Sequence, residues 1–404
     1  MEPLHSGNSQ NVVLGVSGGI ACYKAVELVR LLIRESFRVR VIMTKESMKF
    51  VTPLTFQTIS GQPVATELFS LTQESQIGHI NIADFAELLL IAPATANVIG
   101  KIAAGIADDL LTTVVMATQA PVLLAPSMNV HMYQNPILQE NIRKLKGLGY
   151  HFMEPAEGYL ACGYEGKGRL PDPAEVLEEI KSLLKKKDLL GHRLLITAGP
   201  NREPLDPVRY LSNRSSGKMG YALARMGARR GAEVILVSGP TALDPPSGVR
   251  RISVTTAAEM RDAVLKEFPR CTAVLMAAAV ADFRPVNSIS KKIKKGKKSL
   301  QLTLRPNPDI LKELGENKNG KILIGFAAET ETLVANARRK LREKNLDLIV
   351  ANDVTEPGSG FDGDTNVATL LDSKGGVDPL PLMRKEELAD RIYDHLLKLK
   401  ANSK

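Results

Sequence analysis

Residues 11–44 read NVVLGVSGGI ACYKAVELVR LLIRESFRVR VIMT, and their periodicity changes along the way. VVLGV (12–16) is a short unbroken apolar run, and SGGIA (17–21) is a cluster of small residues. From Tyr23 to about Ser36 the side chains of Val26, Val29, Leu32 and Ile33 share one face at helical spacing. The segment reads as strand, tight turn, helix. RVRVIMT (38–44), ELLLIAPA (87–94) and APVLLAPS (120–127) are further buried-strand candidates with helical stretches between them. Such alternation is the mark of a parallel sheet covered on both faces. A helix from Pro173 to about Lys187 closes this first domain, expected at residues 1–190.

Beyond Asp188–Gly191 the pattern restarts. HRLLITAGP (192–200), AEVILVSGP (232–240), CTAVLMAAAVADF (271–283), KILIGFAAET (321–330) and LDLIVANDV (346–354) are strand-like. SSGKMGYALARMGARRG (215–231) and ETLVANARRKLREKN (331–345) are helical. A second domain of the same Rossmann-like, three-layer α/β kind is expected at 191–404. No short repeat period occurs, which argues against solenoids.

The 404 residues carry a formal net charge of +9, distributed unevenly. Residues 1–190 hold 17 Lys/Arg against 19 Asp/Glu, and residues 191–404 hold 36 against 25. The positive excess therefore lies wholly in the second half, which suits an anionic partner, nucleic acid or a polyphosphate nucleotide. Nucleic acid is the weaker reading: the lysine run at 291–298 has no interleaved aromatics for base stacking. No apolar run approaches a membrane span. MEPLHSGNSQ carries no basic cluster followed by an apolar segment, so no membrane association and a cytoplasmic location are expected. The three cysteines, Cys22, Cys162 and Cys271, are far apart, supporting neither a disulfide framework nor a zinc site.

Several short motifs carry possible chemistry. Ser17, Gly18 and Gly19 sit where a strand hands over to a helix; they form either a phosphate-cradling turn or a turn that needs no ligand. With no G-x-G-x-x-G, a mononucleotide such as FMN fits better than a dinucleotide. Thr95 and Asn97 follow a strand directly, at the edge where open α/β sheets bind ligands, or else belong to a capped helix. Asp108 and Asp109 are read as solvated or capping rather than as a metal pair. His79 is either structural or a proton-exchanging group. Asn129, after the strand VLLA, either orients a substrate carboxylate or caps the next helix. EGYLACGYEGKGRL (157–170) is too glycine-rich for a helix or strand interior, an unusual setting for Cys162, one of only three cysteines. GKM (217–219) lacks the hydroxyl residue of a P-loop.

Taken in order, SGGIACYK, GHI, APATAN…GKIAAGIADDLLTT, APSMNVHM and GYLACGYEGKGRL resemble the flavin-dependent phosphopantothenoylcysteine decarboxylases, whose domain is flavodoxin-like. SNRSSGKMG, AAAVADF, KKIKK, NPDIL, GFAAET and NLDLIVANDV resemble phosphopantothenoylcysteine synthetase, a nucleotide-binding ligase. The two halves together, over roughly residues 11 to 390, resemble the bifunctional bacterial enzymes of coenzyme A biosynthesis.

The resemblance implies FMN in the first domain, with Ser17, Gly18, Gly19, Thr95 and Asn97 as its contacts. It implies oxidation of the substrate thiol with His79 as the associated base. Asn129 binds the carboxylate that departs, and Cys162 protonates the product before reduced flavin returns a hydride. Cys22 stands where alanine is usual and is expected to pack quietly. The second domain is implied to join 4′-phosphopantothenate to cysteine with CTP and Mg²⁺ through an acyl-cytidylate, the metal ligands being undefined. Asn213 is matched to conversion of that intermediate. Ala278, Asp282, Lys292, Asn307, Pro308, Asp309, Ile310, Phe326, Lys340 and Lys344 are matched to CTP, the last two expected on one helix face. Trimer-based decarboxylase cores and dimerising ligase domains imply a homo-oligomer.

Overall fold

The computed structural model describes residues 10–68, 78–160, 163–294, 301–329, 332–353, 360 and 363–401. The chain divides into two compact units, Met1–Lys185 and Lys186–Lys404.

The first unit begins β1 (Asn11–Val16), α1 (Cys22–Arg34), β2 (Arg38–Met43), α2 (Pro53–Ser60) and β3 (Val64–Ala65). It continues α3 (Gly78–Phe85), β4 (Leu88–Ala94), α4 (Ala96–Ala104), α5 (Leu110–Ala117) and β5 (Val122–Pro126). Then come α6 (Val130–Gln134), α7 (Pro136–Gly147) and β6 (His151–Phe152). A hairpin, β7 (Ala156–Tyr159) and β8 (Glu165–Arg169), precedes α8 (Pro173–Leu184).

β1 to β6 form one parallel sheet in the order β3-β2-β1-β4-β5-β6. Its strands are apolar throughout because both faces are covered. Val12, Leu14 and Val16 pack with Leu28 and Leu32 of α1 and Val176 and Ile180 of α8, whereas Val13 packs with Val98 of α4 and Leu111 of α5. Burying each such side chain is worth about 1.5–3 kcal/mol relative to exposure, so a one-residue slip that mixed the two faces is strongly disfavoured. α1 ends two residues before the expected Ser36. Ser36 adopts φ 63°, and the Phe37 and Ser36 N–H groups close back on Leu32 and Ile33, a Schellman stop. α8 likewise ends at Leu184, short of Lys187.

The second unit runs β9 (Arg193–Ala198), the hairpin β10 (Arg202–Pro204) and β11 (Tyr210–Ser212), α9 (Lys218–Arg229), β12 (Glu233–Ser238) and β13 (Val249–Ser253). α10 (Ala257–Glu267), β14 (Ala273–Met276), β15 (Phe283–Pro285), β16 (Leu304–Pro306) and α11 (Ile310–Glu316) follow. The remainder is β17 (Ile322–Glu329), α12 (Leu333–Glu343), β18 (Leu348–Asp353), β19 (Thr365–Asn366), β20 (Ala368–Asp372), β21 (Val377–Pro379), β22 (Met383–Arg384) and α13 (Lys385–Ala401).

Its main sheet has the order β13-β12-β9-β14-β17-β18-β20-β21, parallel from β13 to β18 and antiparallel beyond. α9 and α13 cover one face and α10, α11 and α12 the other. α9 lies hard against β9: a Cβ on Gly220 would stand 2.5 Å from the Ala198 Cβ. Both units are thus α/β with parallel sheets, and in each the strand order reverses beside the first strand, between β1 and β4 and between β9 and β14. Among the described residues no helix is long and apolar enough to cross a membrane.

Candidate functional site

A doubly wound sheet opens a crevice at the carboxyl ends of the strands flanking its reversal. In the first unit Ser17 ties the two crevice loops together. Its buried hydroxyl donates to the Pro93 carbonyl at 2.7 Å and accepts from the Thr95 N–H at 3.1 Å. Thr95 in turn caps α4 by accepting from the Val98 N–H at 3.4 Å. The N-termini of α1 and α4 therefore meet at one spot, with their partial positive charges together. Among the described residues no acceptor takes the N–H groups of Gly18, Gly19, Ile20 or Ala21. Gly18 is required by packing: a Cβ there would lie 2.4 Å from the Glu46 Cβ.

A cavity of about 620 Å³ opens from this turn, lined by Ser17, Gly18, Gly19, Thr95, Asn97 and Asn129 among the expected residues. Ile20, Tyr23, Val98, Met128, Met132, Leu160 and Leu170 give the rest of the wall an apolar character. Lys24, Glu46, Asp109 and Arg169 also line it; of these the sequence singled out only Asp109, and as a capping or solvated residue. Asn129 is the N-cap of α6, accepting from the His131 N–H at 2.8 Å, so the capping alternative holds while the side chain still borders the cavity.

Asp109 caps α5 in a reciprocal capping box with Thr112, and Lys101 reaches both Asp108 (2.7 Å) and Asp109 (3.1 Å). Burial opposes ionisation of Asp109, but the Thr112 amide and hydroxyl and Lys101 outweigh it and lower its pKa. Cys22 is buried, with its thiol donating to the Ser17 carbonyl at 3.2 Å, and burial raises its pKa. It is a packed thiol, not a nucleophile.

The glycine-rich stretch 157–170, expected to be neither helix nor strand, contains paired antiparallel strands, with Gly158 opposite Gly166. Those two glycines adopt φ 138° and 147°, where side chains are rarely tolerated. Glycine content here permits a distorted hairpin. Its backbone is pinned to the cavity rim, the Met128 N–H donating to the Gly168 carbonyl at 2.9 Å, and a Cβ on Gly168 would lie 2.3 Å from the Met128 carbonyl oxygen. Cys162 lies outside the described residues. His79, on α3, is not part of the cavity wall.

In the second unit the corresponding crevice is cross-braced. The Thr197 hydroxyl accepts from the Ala278 N–H at 3.1 Å and the Gly199 carbonyl from the Ala279 N–H at 3.0 Å. Asn213 donates through Nδ2 to the carbonyls of Val280 (3.1 Å) and Ala279 (3.4 Å), which fixes the SNRSSG turn against the loop after β14. The cavity between them measures about 450 Å³ and brings together Asn213, Ala278, Asp282 and Phe326. Lys218 and Asn352, from the SNRSSGKMG and NLDLIVANDV motifs, line it too, together with Asn366 and Lys385, which belong to no sequence motif.

The remaining positions matched to CTP lie outside that lining. Asn307 joins the Asp282 loop, its N–H donating to the Asp282 carbonyl and its Nδ2 to Ala281, both at 2.8 Å. Pro308 follows it, Asp309 caps α11, and Ile310 is buried in the apolar core. Lys340 is on α12, but Lys344 is the C-cap residue beyond that helix, stopped there by Asn345 at φ 51°. The Lys344 ammonium pairs with Asp309 at 2.8 Å.

Lys292 is exposed, and the neighbouring Ile293 is gripped by the loop between β10 and β11. Asp206 accepts from the Ile293 N–H at 3.0 Å, and Arg209 donates to the Ile293 carbonyl at 2.5 Å. Burial opposes ionisation of Asp206, yet the N–H groups of Ile293, Val208 and Arg209, with the Arg209 charge, bring its pKa down to about 2. Among the described residues no group of three or more His, Cys, Asp or Glu could hold a metal ion.

Comparison with known proteins follows the same division. Residues 1–185 match the family described as Flavoprotein, and residues 189–399 match the DNA/pantothenate metabolism flavoprotein C-terminal domain. The chain is 50% identical over 396 residues to the Bacillus subtilis coenzyme A biosynthesis bifunctional protein CoaBC, covering 97% of this chain and 98% of that one. The Vibrio cholerae protein of the same name is 46% identical over 391 residues, covering 96% and 98%. A crystal structure of the C-terminal domain of a coenzyme A biosynthesis bifunctional protein CoaBC is similar at 44% identity and a TM-score of 0.46, covering 53% of this chain and 98% of that chain.

Proposed function

The chain belongs to the family of coenzyme A biosynthesis bifunctional proteins, and from that premise we propose how its two units share the work. It is a two-reaction enzyme, a phosphopantothenate–cysteine ligase and a phosphopantothenoylcysteine decarboxylase. In this reading decarboxylation belongs to the first unit, which the Flavoprotein match over residues 1–185 supports, and ligation to the second.

The flavin of the first unit is FMN. The observation that carries this is the turn Gly18–Ala21, whose N–H groups find no acceptor among the described residues and which opens on a largely apolar cavity. Such N–H groups beside two helix N-termini suit a terminal phosphate, and the apolar wall suits a flat ring system. Ser17, Gly18, Gly19, Thr95 and Asn97 would hold it. When bound, FMN supplies two-electron oxidation and reduction at the substrate's carbon–sulfur group. Asn129, its torsions fixed by the cap on α6, orients the carboxylate that leaves. Cys162 delivers the final proton to carbon, and His79 takes the thiol proton. A trimer-based assembly in which His79 serves the site of a neighbouring copy would account for its place outside its own cavity wall.

In the second unit the phosphopantothenate carboxylate attacks the α-phosphorus of CTP and pyrophosphate leaves; the cysteine amine then attacks the acyl carbon and expels CMP. Asn213 stands beside the acyl group. The positive excess of residues 191–404 offsets the charge of the triphosphate. Mg²⁺, where bound, would be held largely by the phosphates with Asp282 as the available carboxylate, and would offset their charge.

A coupled assay tests both halves. Given phosphopantothenate, cysteine and CTP, yellow FMN-loaded protein should release CMP and carbon dioxide and form phosphopantetheine. A colourless protein that cannot be reconstituted with FMN would remove the first assignment, and equal turnover with ATP the second.

A further inference from the structure

The outgoing strand of the glycine-rich hairpin, β8, lies along the loop that carries Asn129, and three contacts fix it there. Gly168, Gly166 and Tyr164, every second residue, meet Met128, Val130 and His131 in turn. The Gly168 carbonyl accepts from the Met128 N–H at 2.9 Å, and a Cβ on Gly166 would lie 2.9 Å from the Val130 Cγ2, so only glycine lets the strand approach this closely. At the third step two side chains take over. The His131 and Tyr164 rings meet edge to face, with centroids 5.1 Å apart and planes at 79°. Of the three contacts this is the nearest in sequence to Cys162, which comes two residues before Tyr164.

Neither ring lines the cavity, so neither binds what fills it. Each is nevertheless tied to a residue that does line it. The His131 N–H donates to the Asn129 Oδ1 at 2.8 Å, in the cap of α6. The Tyr164 carbonyl accepts from the Leu160 N–H at 2.7 Å, and Leu160 is part of the cavity wall. The ring contact therefore joins the residue assigned to the departing carboxylate to the chain segment that contains the assigned acid. A proton must reach the carbon from which that carboxylate has left, so the spacing of these two parts governs the last step and not the first.

We propose that Tyr164, through its edge-to-face contact with His131, is a positioning residue for the final protonation, holding β8 against the Asn129 loop. The inference rests on the decarboxylase reading above. Its test is a single turnover of phosphopantothenoylcysteine by the FMN-loaded full chain in excess, quenched at intervals and analysed for carbon dioxide and phosphopantetheine. With Tyr164→Ala, carbon dioxide release should stay within about twofold of wild type while phosphopantetheine formation slows about fivefold, the scale of one aromatic pair lost from the transition state. Tyr164→Phe keeps the ring and should restore the wild-type rate. His131→Ala, which leaves the backbone cap in place, should slow the same step, and the double variant should be no slower than either single one, because both remove one contact. Equal slowing of both steps, a wild-type rate with Tyr164→Ala, or losses that multiply in the double variant would each overturn the proposal. If Tyr164→Ala melts at a clearly lower temperature, His131→Ala is judged by the same criteria. Cys162→Ser separates this inference from the reading beneath it. A normal yield of phosphopantetheine from that variant removes the acid itself, whereas a defective Cys162→Ser beside a wild-type-like Tyr164→Ala removes the positioning role alone.

Discussion

The two cavities occupy the same topological place in two sheets of the same kind, yet their walls differ in chemistry. The first joins backbone N–H groups that find no acceptor among the described residues to a largely apolar wall edged by Lys24, Glu46, Asp109 and Arg169, and its floor, the turn at Gly18, tolerates no side chain. The second adds amide and ammonium side chains to its wall, with Asn213 and Lys385 held by backbone carbonyls and Lys218 by the Asp364 carboxylate. Backbone donors cannot move without unfolding the turn, so they suit a cofactor that stays bound. Side-chain donors exchange partners readily, so they suit substrates that come and go. The fold supplies a crevice in each case, and the loops decide what it holds.

The contrast breaks first if the decarboxylase side does not depend on one side chain. Replacing Cys162 with serine should lower phosphopantetheine formation by roughly two orders of magnitude or more, the usual worth of a positioned acid, while CMP release by the ligase stays at its wild-type rate. Carbon dioxide should still evolve, with an oxidised thiol product accumulating. Undiminished phosphopantetheine in a chromatographic assay would remove Cys162 from the mechanism.

A smaller effect should come from Asp206, which lines neither cavity but holds the chain beside Lys292. Asp206→Asn weakens the grip on the Ile293 N–H, and the expected result is a rise of about tenfold in the KM for CTP, the scale of one charge-assisted hydrogen bond, with little change for cysteine. The pH dependence has a definite sign. Asp206 in the folded protein titrates at about 2, below the free aspartate value near 3.9. Its contribution to stability is complete above about pH 5 and disappears as pH falls from about 4 towards 2. The difference in melting temperature between wild type and variant should be constant from neutral pH down to about 5 and shrink below it. A difference that grows on acidification would mean that Asp206 is not held as the anion.

How far this was legible in the sequence depends on burial. β9, β12, β14, β17 and β18 stand out because strands covered on both faces must be apolar without interruption. β13 escaped notice because it is a sheet edge, with its arginines exposed, and β20 and β21 because they are short antiparallel additions. The hairpin around Gly158 and Gly166 was hidden by glycines at backbone angles that strand patterns do not include. Ser17, Thr95 and Asn213 were readable as residues that immediately follow a strand or fill a turn. Asn366 and Lys385 were not, since their place in the cavity wall comes from pairings with residues distant in the chain, and no local pattern marks them.

The smallest expected effect bears on the exchangeable character of the second cavity. Lys344 is matched to CTP but already pairs with Asp309 at 2.8 Å, with its side chain 27% exposed. To meet a phosphate it must leave that carboxylate, so the gain on binding is the difference between two partly hydrated ion pairs, each modest alone. Lys344→Ala should therefore raise the KM for CTP only about threefold, or roughly 0.7 kcal/mol, and should cost little stability because the C-cap is made by backbone groups. A hundredfold rise would mean that Lys344 abandons Asp309 for a tightly enclosed phosphate, making that part of the ligase site as fixed as the turn at Gly18. An unchanged KM, with a lower melting temperature, would leave Lys344 as a structural partner of Asp309 and confine nucleotide recognition to the residues nearer Asp282.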